Sequence, residues 1–393
     1  TTNDPTPVVS GTAEAGSTVT VAVGGATYTV TADGSGQWSV DTGTATPASG
    51  TFNLSTDGAK TVNVTSTDAA GNSSSSSGSL TLDTAIATPT VAALSTNDTT
   101  PVVSGTAEAG STVTVAVGGA TYRVTANGSG QWSVDSGTAT PSSGTFNLGA
   151  DGAKAISLTS TDAAGNASSG SGSLTLDTVA PTVPVISAVT DDVGTLTGAL
   201  SSGARTDDPS LVITGTCEAG STVKVYDGST LLGTATVSGT SWTYTATVVD
   251  GQSYAFKAQA VDAAGNASAA SANFNVTGDT TGPSAAPAMV LGSGVGLAPT
   301  GGTTSAEALA GGGVLTVTGE VGATVTVTFT DGSGHAVTKT VTGNGSTPVP
   351  VVLSAGDLGG AHGLADGTIT VGAMQTDTAG NVQSVAASAA SFT

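Results

Sequence analysis

Asn3–Asp41 reads NDPTPVVSGTAEAGSTVTVAVGGATYTVTADGSGQWSVD. Within TVTVAV, Val19, Val21 and Val23 fall on one side of an extended chain while Thr18, Thr20 and Ala22 face the other, the two-residue period of a strand. Working outward, VVSGTA, STVTVAV, ATYTVTA, QWSV, GTFNL, AKTVNVTST and SGSLTL make seven short strand candidates, separated by turn sequences such as EAG, GG, DGSG and TDG.

About seven strands in roughly 95 residues predicts an immunoglobulin-like β-sandwich. No cysteine pair is available to bridge its sheets, because Cys217 is the only cysteine. It replaces Ala13 and Ala107 of earlier copies and reads as a small core filler. Two apolar sheet faces must therefore hold the fold, with Trp38, Trp132 and Trp242 as equivalent core plugs.

The opening stretch returns from Asn97 with few changes, an offset of 94 residues that also relates Trp38 to Trp132, Asp68 to Asp162 and Asp83 to Asp177. A third copy keeps DDPSLVITGTCEAGSTVKVY from Asp207 and VDAAGN from Val261, after a longer entry, VTDDVGTLTGALSSGARTDD. A fourth, divergent copy carries LTVTGEVGATVTVTFTDGSG from Leu315 and QTDTAGN from Gln375. The chain is therefore expected to be all-β, with four sandwich modules arranged end to end as an elongated rod: 1–83, 84–177, 178–279 and 280–393. AAPAMVLGSGVGLAP (Ala285–Pro299), broken by Gly, Ser and Pro, reads as linker, and SAEALA from Ser305 as a helical turn.

Of the 393 residues, 28 are Asp or Glu and 7 are Lys or Arg, a formal net charge of −21. Nucleic acid and anionic membrane are excluded as partners, since both need clustered cations. Self-association is disfavoured by the same charge, so a monomer is expected. No apolar run reaches 18 residues, so no direct membrane insertion is expected. TTNDPTP recurs mid-chain as STNDTTP from Ser95, and any targeting signal is expected outside this sequence.

The acidic groups recur in register. Counting strand reversals, the DAAGN loop of each module should return to the end where that module began, beside the preceding linker. Asp162 should then meet Asp83 and the pair Asn97 and Asp98. At the second junction Asp177, Asp191, Asp192, Asp207, Asp208 and Asp262 gather, and at the third Asp279, Glu307 and Asp377. Asp68 would pair with Asp4. Such clusters repel unless a hard cation joins them, and calcium takes six to eight oxygens in irregular geometry. Magnesium wants a strict octahedron, and two histidines, His335 and His362, in no ligand-like spacing argue against zinc. The competing reading makes DAAGN a tight turn capped by its own Asp and Asn. Glu14, Glu108, Glu218 and Glu320 recur in the first turn and are placed by the same count at the opposite end from DAAGN.

TPVVSGTAEAGSTVTV, DDVGTLTGALSSGARTDDPSLVITGTCEAGSTVKVY and the three DAAGN loops resemble the tandem bacterial immunoglobulin-like extender modules of giant biofilm-associated, type I-secreted RTX adhesins. The resemblance implies end-to-end stacking, calcium at the module junctions, a distal recognition domain and an extracellular place on the bacterial cell surface. A calcium-stiffened spacer is the leading expectation. The alternative is a ligand-binding fragment whose fourth module, with DGSGHAV and GDLGGAHGLADG, contacts a glycan or protein receptor. Catalysis is not expected: no Ser–His–Asp setting, glycine loop before a helix or isolated carboxylate pair stands apart from the repeats.

Overall fold

The computed structural model describes residues 1–292, 308–359, 363–383, 387 and 390–393. His362, and Ser305 to Glu307 of the expected helical turn, lie outside the described residues. Two compact units divide the chain, Thr1–Val179 and Ala180–Thr393.

In the first unit, residues 97–176 show the pattern most fully. Val102–Thr106 lies between Gln131–Asp135 and Thr90–Val91 in a three-stranded sheet. Opposite it, a six-stranded sheet runs in the order Ser143–Gly144, Ala120–Thr125, Thr112–Val117, Gly152–Thr161, Ala167–Leu176 and Leu94–Thr96. All its pairings are antiparallel except the last. The first copy repeats this arrangement with Val8–Thr12 on Gln37–Asp41 and a five-stranded partner sheet. Val19, Val21, Val23 and their equivalents Val113, Val115 and Val117 are buried, as the alternation requires. Trp38 and Trp132 plug the two cores.

The second unit holds two sandwiches. One pairs the sheet containing Val185–Asp191, Ser210–Thr216 and Ser241–Thr247 with the sheet containing Ala204–Thr206, Phe274–Gly278, Ser253–Val261 and Thr222–Asp227. Trp242 and Cys217 are buried between them, and the Trp242 indole donates to the Thr216 carbonyl at 3.1 Å. The other pairs Ala288–Leu291, Leu315–Thr318 and Val349–Val351 with Ala336–Thr342, Thr324–Thr330, Ile369–Thr376 and Ala390–Phe392. Each of the four hydrophobic clusters draws its residues from one sequence copy.

Two expectations are corrected. Ala288–Leu291, read as linker, is a strand paired with Leu315–Thr318, because Met289 and Leu291 alternate inward onto the fourth core. GTFNL is not a full strand: only Ser49–Gly50 pairs, and Phe52 and Leu54 enter the core from irregular chain. Gly50 has a φ of 77° and its α-carbon faces the Gly25 carbonyl so closely that a β-carbon would stand 2.2 Å from that oxygen, which explains why the strand stops there.

Candidate metal centres

Each DAAGN loop is built by its first aspartate. In Asp162–Asn166, Asp162 Oδ1 accepts from the backbone N–H groups of Ala164, Gly165 and Asn166 at 2.9, 2.7 and 2.8 Å, and Oδ2 accepts from Asn166 Nδ2 at 2.8 Å. Asp377 repeats this with Ala379, Gly380 and Asn381. Asp68 and Asp262 take the same backbone and side-chain donations from Asn72 and Asn266. The tight-turn reading is thus realised in every copy, which explains the four-residue spacing of Asp and Asn. Burial alone would raise the Asp162 pKa, but the Asn166 side chain and three backbone donors outweigh it and hold the carboxyl below its usual range.

The loop also reaches out of its module. Asn166 Nδ2 donates to the Asp83 carbonyl at 2.8 Å, and Asn381 Nδ2 donates to the Asp279 carbonyl at 2.6 Å. One amide therefore ties the turn to the last acidic residue of the preceding copy. Asn166→Ala is expected to cost about 1 to 2 kcal/mol in the unfolding free energy of residues 1–179, the value of a part-buried, charge-assisted hydrogen bond with its partner left unpaired. Hydrogen exchange of the Gly152–Thr161 amides would report it.

In the first unit one carboxylate oxygen each from Asp83, Glu108 and Asp162 lies within 4.8 Å of the others, and all three residues are half-buried. Two oxygens on a common ion at about 2.3 to 2.6 Å cannot be farther apart than about 5 Å, so this spacing suits calcium. Glu108 is the unexpected member. Thr112–Val117 begins beside Thr161, which puts the turn ahead of it at the DAAGN end rather than the opposite one. Glu108 Oε2 accepts from Ala87 N–H in the preceding linker at 3.1 Å, and Glu218 Oε2 does the same from Thr182 at 2.9 Å. The recurrence of Glu at the module offset is the signal in the sequence, and the turn that carries it lies at the end opposite to the one the strand count gives.

Asn97 and Asp98 do not join this site. Thr96 pairs with Leu176, at the other end of a ten-residue strand pair from Thr161 and Ala167, on the order of 30 Å from Asp162 at about 3.3 Å per residue. There Asp98 accepts from Thr100, and Asp177 N–H donates to the Thr96 carbonyl. For the same reason Asp4 follows the entry strand to the Asp83 end of the module and not to the Asp68 end: Asp83 N–H donates to the Thr2 carbonyl. Asp4 itself caps Thr6 at 2.8 Å, and the Asp68 loop is exposed.

A second acidic cluster occupies the second unit. Asp191, Asp207, Asp208 and Asp377 are all buried. Asp191 Oδ2 accepts from Thr206 Oγ1 at 2.5 Å and Asp208 Oδ1 from Ser210 N–H at 2.7 Å, while Asp207 Oδ1 is buried with no hydrogen-bond partner. Burial first, then the charges of Asp191, Asp377 and Asp208, push the Asp207 pKa up. Thr195 Oγ1 donates to the Gly380 carbonyl at 2.8 Å, so the long entry segment of the third copy touches the DTAGN loop of the fourth. Asp192 N–H donates to Asp208 Oδ2, leaving the Asp192 side chain exposed. The Asp279 carboxylate is taken by Arg205 at 3.0 Å. Asp262 stays within its own loop.

Three further aspartates that the sequence reading did not single out fasten the outgoing linkers. Asp57 accepts from Thr84, Asp151 from Thr178, and Asp250 from Thr280 and Thr281, at 2.6 to 3.1 Å. Their signal was the recurring TDG, ADG and VDG turns.

A bacterial Ig-like domain profile matches residues 1–84, 93–178 and 182–280. The chain belongs to the bacterial Ig-like domain family. No curated protein matches it. Among solved structures, this bacterial Ig-like chain is similar to a tetra-tandem repeat in the extending region of a large adhesion protein (22% identity over 100% of this chain and 97% of that one, TM-score 0.25). It is also similar to a Ca2+-stabilised adhesin with which an Antarctic bacterium binds ice (27%, 100% and 94%, TM-score 0.32). A third likeness is to a 1.5-MDa bacterial ice-binding adhesin, in a structure concerned with retention at the host cell surface (21%, 70% and 92%, TM-score 0.29).

Proposed function

We propose that this chain is an extender segment of a bacterial surface adhesin, stiffened by calcium held where one Ig-like module meets the next. The meeting of Asp83, Glu108 and Asp162 carries the reading: an outgoing linker residue of one copy lies within ligand distance of two loops of the following copy. An ion bound there stabilises only the docked arrangement of both, so bending at the junction must release it. The unpartnered Asp207 oxygen among Asp191, Asp208 and Asp377 supports a second ion in the other unit. Repetition of the same acidic loop in every module favours a mechanical role over catalysis, and the acidic balance suits an exported chain that meets calcium outside the cell.

Small-angle scattering provides the test. A larger maximum dimension and radius of gyration are expected in calcium than in EDTA. Superimposable profiles would remove the hinge mechanism while leaving the fold untouched.

A further inference from the structure

The third copy departs from the first two on the outer face of one sheet. Thr222–Asp227 runs between Ser253–Val261 and Thr230–Thr234, with Lys224 opposite Gln259 and Tyr226 opposite Lys257. Val223, Val225, Phe256 and Ala258 point into the core, so the four residues alternating with them face outward as a block, each half-buried. The same places hold Thr20, Thr65, Ala22 and Asn63 in the first copy, and Thr114, Thr159, Ala116 and Ser157 in the second, in the same register. Small uncharged residues are therefore enough for the fold, and the third copy carries four larger side chains instead.

Charge sets the block apart. The chain has 7 Lys and Arg against 28 Asp and Glu, yet Lys224 and Lys257 are diagonal neighbours about 7 Å apart on adjacent strands. Neither forms an ion pair among the described residues. Asp227, three residues beyond Lys224, accepts from the Ala255 N–H at 2.7 Å instead. Between the lysines, Tyr226 Oη donates to Gln259 Oε1 at 3.2 Å, and Gln259 Nε2 donates to the Ser268 carbonyl at 2.8 Å. Both Oη and Oε1 keep lone pairs that can accept a further hydrogen bond. Leu231, paired with Tyr226 on the other side, is 52% exposed and gives the block an apolar border.

We propose that this face binds an acidic polysaccharide, one that carries single carboxylates between neutral sugars. The lysine stems lie on the sheet and their ammonium groups meet the carboxylates. Sugar hydroxyls donate to Tyr226 Oη and Gln259 Oε1, and the C–H face of a ring packs on Tyr226 and Leu231. An acidic protein side chain would engage the lysines alone and leave the acceptors between them unused. The net charge of −21 does not prevent the contact, because at physiological salt charges beyond about 8 Å are largely screened. The site lies within one module and needs no junction ion.

The test uses the whole protein in EDTA, so that no calcium bridges sugar carboxylates to aspartates. The probe is an oligosaccharide alternating glucuronic acid with N-acetylglucosamine, and its carboxyl-reduced form is the control. Calorimetry should show binding of the acidic form that weakens with added salt, and little binding of the reduced one. Hydrogen exchange should show protection of Thr222–Asp227 and Ser253–Val261. Lys224→Thr combined with Lys257→Asn installs the residues of the first copy, so the fold is retained by circular dichroism, and affinity should fall at least about tenfold, or ~1.4 kcal/mol. Tyr226→Ala should weaken binding as well. No binding at millimolar oligosaccharide, or unchanged affinity in the double variant, would overturn the proposal. So would equal binding of a poly-glutamate peptide that Tyr226→Ala leaves untouched, which would assign the lysines to an acidic protein. None of these outcomes bears on calcium at the junctions.

Discussion

In calcium, Asp162→Ala is expected to lower the unfolding free energy of residues 1–179 by about 3 to 5 kcal/mol, and in EDTA by about 1 to 2 kcal/mol. The first figure contains the ion. A ligand at a hundredfold excess over its Kd contributes about 2.7 kcal/mol, and the variant forfeits it along with the loop's hydrogen bonds. The second contains only the bonds from Ala164, Gly165 and Asn166, discounted for their partial exposure to water. The difference between the two conditions therefore isolates the metal. Because several modules need not melt together, the measurement should be local: exchange of the Gly152–Thr161 amides against denaturant in each buffer. Equal losses in calcium and EDTA would show that Asp162 caps a turn and binds nothing.

Asp207→Asn is expected to reverse its sign between the same two buffers. Without calcium, the wild-type carboxylate is buried beside like charges with one oxygen unpaired, so removing its charge should stabilise the second unit. On the proposed reading calcium makes that charge a ligand, and the variant should lose about 2.7 kcal/mol, the contribution of a ligand at a hundredfold excess over its Kd. The pH dependence follows from the same shift. Native Asp207 keeps its proton to higher pH than the unfolded chain, so the native state binds more protons in the window above the ordinary carboxyl pKa. Stability contributed by Asp207 in EDTA should then fall as pH rises through that window. Asp162 acts oppositely: its lowered pKa gives stability at neutral pH that is lost as pH falls through the native value. A destabilising Asp207→Asn in EDTA would mean that its carboxylate is held by the protein alone.

The strands and cores were legible because they depend on local alternation. Val19, Val21 and Val23, the three tryptophans and Cys217 occupy the buried places that their spacing implied. The Asp–Asn loops were legible for a similar reason, since a turn closed by its own side chains needs no distant partner.

What the sequence reading misplaced were the ends. Counting reversals along the sequence gives the wrong strand ends for two physical reasons: Gly50–Leu54 is not a full crossing, and Ala87–Thr96, between modules in the repeat, is a crossing in itself. Each error inverts every position counted through it. Asp83 and Asp162 do come together, but because the linker runs the length of the module, not because it is short. Asn97, Asp98 and Asp4 accordingly go to the far end, and Glu108 joins the carboxylates. The long entry of the third copy likewise puts Asp191, Asp207 and Asp208 against the Asp377 loop, a partnership that no periodicity announces.

Anomalous diffraction from crystals of the whole chain grown in calcium would test the central claim most directly. The account predicts a peak about 2.3 to 2.6 Å from oxygens of Asp83, Glu108 and Asp162, with the Asn166 amide still on the Asp83 carbonyl. Three carboxylates turned apart into solvent, with no peak between them at millimolar calcium, would contradict it.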